Sequence, residues 1–193
     1  MILKILLVND DLDRAQLICE VLEQAGYVIS NRLKITDDLL FYVKADNPDV
    51  IVMDTTLPDE HYLDQVKLVN QELPKPIVMF SDSSGGSETI ELVVKAGVHA
   101  YIVNGLDSDR IQAIVETAVV RFKEYQSLRN ELIETKATLE ERKIIEKAKG
   151  LLMENHNMKE QDAFQTLRKM AMDQNKKMGD VAENIIAMFK FIK

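Results

Sequence analysis

What most constrains the fold of this chain is an alternation that runs through residues 1–123. Short apolar runs rich in Val and Ile recur at Ile2–Val8, Tyr27–Ile29, Val50–Met53, Pro76–Phe80 and Ala100–Val103. Most are continuously apolar, the pattern of strands buried on both faces of a parallel sheet. Between them the period becomes helical. Ala15, Ile18, Leu22 and Ala25 share one face of a helix that Gly26 ends. A second helix is expected from Asp37 toward Ala45, with Thr36 as its N-cap and Pro48 beyond its end. Five strands alternating with five helices predict an α/β fold built on a five-stranded, doubly wound parallel sheet.

The fifth helix is expected to start at Asp107-Ser108-Asp109, residues suited to a cap and to a helix N-terminus. No Pro or Gly then occurs before Gly150, an interval too long for one packed globular helix. With Ile111 set at a, the a column reads Ile111, Ala118, Tyr125, Leu132, Leu139 and Glu146; Arg121 and Thr135 interrupt the d column. This predicts a short, imperfect two-stranded coiled coil from about Phe122 to Leu139, able to dimerise the chain. The competing reading is a helix folded back on its own domain. Three helical patterns follow, forming an all-α module. The first is closed by Asn155-His156-Asn157; the second runs from Glu160 to about Asp173, the third from about Lys177 to Phe191. Their apolar faces are Ala163, Phe164, Leu167, Met170 and Ala171, then Val181, Ile185, Met188 and Phe189 or Ile192. The expected domains are thus residues 1–122, a linker at 123–139 and a module at 140–193.

Charge separates these parts. Residues 1–136 carry 13 Lys and Arg against 23 Asp and Glu, whereas residues 137–193 carry 11 against 9. An acidic half joined to a slightly basic one points to a polyanion partner for the second half. The apolar start is too short to span a membrane and lacks the basic region and cleavage site of a signal peptide. A single cysteine, Cys19, cannot form an internal disulfide, which fits a cytoplasmic protein; beside the apolar face of the first helix, it reads as a small core residue. His61, His99 and His156 lie far apart without ligand spacing, and Ser84-Gly85-Gly86-Ser87 lacks the lysine of a phosphate loop. A metabolic enzyme is not expected.

In a doubly wound sheet, sites form at the carboxyl ends of the strands. Here those ends carry Asp10 and Asp11, Asp54, Ser81-Asp82 and Asn104. Converging carboxylates repel unless a hard cation neutralises them, and oxygen ligands suit Mg²⁺. A carboxylate not fully used by the metal is then placed to accept a phosphoryl group.

Over residues 1–122 this arrangement resembles a response-regulator receiver domain, a flavodoxin-like fold. The resemblance implies that Asp10, Asp11 and Asp54 bind Mg²⁺, that Asp54 is the phospho-acceptor, that Ser81 is the switch hydroxyl and that Tyr101 is the aromatic that moves with it. One departure is serious. Asn104 stands where receivers place a lysine, and a neutral amide cannot pair ionically with an aspartyl phosphate. The loop Thr55-Thr56-Leu57-Pro58-Asp59-Glu60-His61 also lacks the glycine common after that proline. Two readings stay open: phosphate chemistry retained in weakened form, or a pseudo-receiver that serves as a docking surface.

The last third carries Glu141-Arg142-x-x-Ile145-Glu146-x-Ala148-Lys149-Gly150-x-Leu152-Met153, then Ala163-x-x-x-Leu167-Arg168-x-x-Ala171-Met172, then Lys177-Met178-x-x-Val181-Ala182-Glu183. This resembles the ANTAR domain of transcription antiterminators over residues 137–190. Together with a fifth strand ending in glycine and the Arg121-Phe122 exit, it is similar to nitrate-responsive NasT-type regulators. Lys159 departs from the N-cap usual before the second helix, and Asn157 is the expected substitute. The resemblance implies binding of paired hairpins in nascent leader RNA, with Arg142, Lys149, Arg168, Lys169, Lys176 and Lys177 as contacts. Ala148 and Gly150 are expected to matter by being small. The implied input is phosphorylation by a histidine kinase, or a sensor protein for nitrate or nitrite. The alternative is a receiver-linked DNA-binding factor, but the third helix is too apolar for a recognition helix.

Overall fold

The computed structural model describes residues 2–104 and 108–191. The cap expected at Asp107, together with Gly105, Ile192 and the side chains of Ser108 and Asp109, lies outside what is described. The chain divides into two compact units, Met1–Gln126 and Ser127–Lys193.

In the first unit, β1 (Lys4–Asn9), β2 (Val28–Leu33), β3 (Val50–Thr55), β4 (Ile77–Ser81) and β5 (Ala100–Val103) form one sheet in the order β2-β1-β3-β4-β5. All four neighbouring pairs are parallel. Between the strands lie α1 (Leu12–Gln24), α2 (Leu39–Asp46), α3 (Glu60–Glu72) and α4 (Gly86–Ala96); α5 (Ser108–His156) follows β5. The expected doubly wound sheet is present. Successive strand residues point to opposite faces, so each apolar run fills two cores. Leu6, Val8, Ile51, Met53, Ile77 and Met79 meet α2, α3 and α4. Ile5, Leu7, Val50, Val52, Val78 and Phe80 meet α1 and the first turns of α5, with Cys19 among them.

One local expectation needs correction. The second helix is capped not by Thr36 but by Asp38, whose carboxylate accepts from Phe41 N at 3.0 Å. An acidic side chain satisfies the free N–H groups there and also suits the positive helix end. His99, one of the three histidines without ligand spacing, is packed within the first unit. Its Nδ1 accepts from Ile77 N at 3.2 Å, and its ring stands edge-on to Phe122 at 5.1 Å.

Helix α5 runs unbroken for 49 residues. The a-column residues Ile111 and Ala118 are buried in the first unit, whereas Tyr125, Leu128, Leu132 and Leu139 are exposed. In the second unit the end of α5 packs with α6 (Glu160–Asp173) and α7 (Met178–Phe191). Their core is small: Ile145, Ala148 and Leu152; Ala163, Leu167 and Ala171; Val181, Ala182 and Ile185. A Cβ on Gly179 would stand 3.0 Å from Glu141 Cγ, so α7 approaches α5 closely at that point. Gly150 plays no such part, since a Cβ there meets nothing within 4 Å. Asn157 does not cap α6; it takes a left-handed conformation, with φ 50, just beyond α5. Lys159 occupies the cap position without a side-chain bond. Met188, expected on the packed face, is 63% exposed.

Candidate functional sites

The order of the sheet reverses at β1, whose neighbours are β2 and β3, so the crevice lies beyond the carboxyl ends of β1 and β3. There the register sets Asn9 opposite Asp54, one residue earlier than the acidic pair read from the sequence. Asp54 is 1% exposed, and Asn9 Nδ2 donates to its Oδ2. Asn9 Oδ1 in turn accepts from Asp11 N at 2.6 Å. A small cavity of about 140 Å³ is lined by these residues together with Asp10, Thr55, Thr56 and Tyr62.

Two of the three carboxylates expected to hold a metal make bonds elsewhere. Asp11 is the N-cap of α1, where its Oδ1 accepts from Asp13 N at 3.0 Å and Arg14 N at 3.1 Å. Asp10 accepts from Ile35 N and from Tyr62 OH, both at 3.0 Å. Burial and the adjacent Asp10 charge push the Tyr62 hydroxyl well above its ordinary value, so it remains a donor.

The residue that sequence reasoning missed is Arg14, in the first turn of α1. Its Nη2 donates to Asp54 Oδ1 at 2.8 Å, and its Nε lies 2.6 Å from Asp54 Oδ2, an ion-pair contact without hydrogen-bond alignment. Nη1 donates to Asp82. Burial raises the Asp54 carboxyl above the usual range, while the hydrogen bond and charge of Arg14 pull it back. For Arg14, burial opposes the charge, but the bonds to Asp54 and Asp82 outweigh it and hold the guanidinium above its ordinary value.

The remaining receiver positions are less connected to Asp54. Ser81 is 1% exposed, with Oγ within hydrogen-bond distance of the carbonyls of Ser83, at 2.7 Å, and Thr56, at 3.0 Å. Tyr101 OH donates to Ser83 O at 3.0 Å. Asn104 is exposed with φ 55, a conformation asparagine tolerates better than most residues, and its N–H donates to Ser81 O at 2.9 Å. Mg²⁺ fits this donor set poorly. Asp54 already faces a guanidinium and an amide donor, Asp11 caps a helix, and Asp10 holds a tyrosine and a backbone N–H. No group of three or more His, Cys, Asp and Glu is placed to hold a metal among the described residues.

In the second unit, five of the six expected contact residues are exposed: Arg142, Arg168, Lys169, Lys176 and Lys177. Lys149 is the exception. It is 6% exposed, and its Nζ donates to Glu146 at 2.8 and 3.0 Å and to Glu160 at 2.8 Å. Bonds to Glu146 and Glu160 raise the Lys149 ammonium, and the same contact lowers Glu160. Lys149 therefore ties the end of α5 to the start of α6, and its ammonium is not presented to solvent. A hollow of about 420 Å³ is lined instead by Phe164, Arg168, Met172, Asn175 and Lys176. Phe164, read from sequence as core, is 37% exposed and Met172 71%. Arg142, Lys169 and Lys177 do not line it.

Comparison with known proteins follows the same division. Residues 5–116 match the response regulator receiver domain and residues 134–186 the ANTAR domain. The transcriptional regulatory protein PdtaR of Mycobacterium tuberculosis is 30% identical over 183 residues, covering 95% of this chain and 89% of that protein. A nitrate regulatory protein of Klebsiella oxytoca is 48% identical over 65 residues, 34% of this chain and 16% of its own length. A CheY-like receiver domain from Methanospirillum hungatei superposes with a TM-score of 0.54 at 21% identity, covering 64% of this chain and 99% of that domain; this likeness concerns fold alone.

Proposed function

The chain belongs to the response regulators that join a receiver domain to an ANTAR domain, and from that premise we propose that it is a transcription antiterminator binding hairpins in nascent leader RNA. The family is regulatory rather than catalytic. The observation that carries the proposal is the hollow on α6. Unstacked loop bases are taken up by stacking on aromatic rings and guanidinium planes, while phosphates are neutralised by Lys and Arg. Phe164 and Met172 offer apolar faces beside Arg168 and Lys176, and the volume of about 420 Å³ admits a base. Lys169, Lys177 and Arg142 supply further exposed cations.

The input is proposed to be capture by a ligand-sensing partner, or phosphorylation at Asp54. The Arg14 contacts on Asp54 support the partner route. The local likeness to a nitrate regulatory protein supports nitrate or nitrite as the partner's ligand. The exposed Tyr125, Leu128, Leu132 and Leu139 support pairing of two copies through α5 as a coiled coil.

Gel shifts of a two-hairpin leader RNA against duplex DNA of the same sequence test the proposal. Retention of the RNA alone is expected. Preferential binding of the duplex overturns the reading in favour of a DNA-binding factor, and binding of neither favours a protein-only adaptor.

A further inference from the structure

A receiver pocket that accepts a metal leaves the oxygens of its buried carboxylate open to it; here both oxygens of Asp54 are engaged. We propose that Arg14 is a resident cation of the receiver, standing where a divalent metal and a lysine are otherwise expected, so that Asp54 is neutralised from within the chain. Four observations converge on that assignment. Both oxygens of the 1%-exposed Asp54 are engaged, Oδ1 by Arg14 Nη2 and Oδ2 by Asn9 Nδ2 and the nearby Arg14 Nε. The same guanidinium reaches Asp82, so one cation serves two carboxylates. The residue that faces Asp54 across the register at the end of β1 is Asn9, a neutral amide that brings no second carboxylate there. Asn104 leaves β5 without a cation of its own.

These features are mutually consistent physically. A buried carboxylate needs a counter-charge or it is protonated. An arginine presents a planar fork to carboxylates and stays charged under all relevant conditions. Its position is otherwise unfavourable, because the first turn of a helix repels cations. The Asp54 and Asp82 carboxylates offset that repulsion. With Arg14 in place, a divalent ion would have to displace it from both carboxylates at once. The receiver then has one stable charge arrangement without metal, and its response comes from whatever docks on it.

The test is thermal melting of the full chain with and without millimolar MgCl₂, against NaCl of equal ionic strength. A ligand that binds the folded state raises Tm. The wild type is expected to show no Mg²⁺-specific rise. Arg14→Ala is expected to melt lower without metal and to regain Tm when Mg²⁺ is added, because the cation enters the vacated place. Equal Mg²⁺ stabilisation of wild type and variant overturns the proposal, since the metal then binds regardless of Arg14. A variant that melts normally and gains nothing from Mg²⁺ overturns it too, since no cation site has been opened. If Arg14→Ala does not fold, Arg14→Gln keeps most of the aliphatic stem without the charge and serves the same comparison. A double-mutant cycle gives a second readout. Arg14→Gln/Asp54→Asn is expected to melt no lower than the worse single variant, and full additivity counts against the pairing.

Discussion

The two units handle charge in opposite ways. In the receiver, the carboxylates at the strand ends are consumed internally: Asp54 and Asp82 by Arg14, Asp11 by the first turn of α1, Asp10 by Tyr62 and Ile35. In the ANTAR module, five of the six expected contact cations remain in solvent, Arg168 and Lys176 at the rim of an apolar hollow, and of the six only Lys149 is turned inward. Residue type alone does not distinguish these fates. Lys149 and Arg168 both sit in motifs shared with the family, yet one holds two helices together and the other rims an open hollow. A charged side chain with satisfied partners is structural, and one without them beside exposed apolar surface is available for recognition.

The sharpest way to break the contrast is to damage each side separately. Leu167→Ala removes a fully buried side chain from the small core of the second unit and should cost about 2–5 kcal/mol. Hydrogen exchange should report lost protection in α6 and α7 while the amides of β3 keep theirs. Next in size is Arg168→Ala, expected to weaken hairpin binding by about 1–3 kcal/mol, on the order of tenfold to a hundredfold, with Tm unchanged. Lys149→Met should do the reverse, lowering Tm and affecting RNA only as far as the fold is lost. If Lys149→Met melts normally but binds RNA poorly, the inward assignment of Lys149 is wrong.

Asp11 offers a smaller and equally pointed comparison. As an N-cap, its change to Ala should cost about 1 kcal/mol, and its change to Asn little, because asparagine caps well. A large loss from Asp11→Asn in urea melts would point to a role for its full charge. The smallest effect concerns pH. Burial lowers His99 below its ordinary value, and the neutral Nδ1 accepts a bond from Ile77 N. A base with a depressed folded value favours the neutral form in the folded state. Its stabilisation is present above the unfolded pKa of about 6.5 and is lost as pH falls below it toward the lower folded value. Tm of the wild type should therefore decline from pH 7 to pH 5 more steeply than that of His99→Gln.

Much of this was legible in the sequence because it depends on local pattern. The apolar runs located all five strands, and α6 spans the predicted Glu160–Asp173. The pocket was less legible because it depends on register. The acidic residues Asp10 and Asp11 lie just past the end of β1, while the pairing of β1 with β3 brings Asn9, one residue earlier, to Asp54. Arg14 left one readable trace, a cation in the first helical turn, where the helix dipole disfavours it. Phe164 and Met188 were misplaced for a different reason. A three-helix module has too little interior to bury every apolar residue of an amphipathic stripe, so some of the stripe stays in solvent.

The inward turn of Lys149 has a consequence that can be expressed in ions released. Nucleic acid sheds condensed counter-ions for each phosphate that a protein cation neutralises, and the logarithm of affinity falls with the logarithm of salt by about 0.7 per contact on single strands. An ammonium already matched by Glu146 and Glu160 releases none. With Arg142, Arg168, Lys169, Lys176 and Lys177 as the proposed contacts, a slope of about −3 to −4 is expected for one module. So shallow a slope predicts that, if the chain binds leader RNA as proposed, a large share of the binding survives at cellular ionic strength and rests on stacked bases rather than on charge.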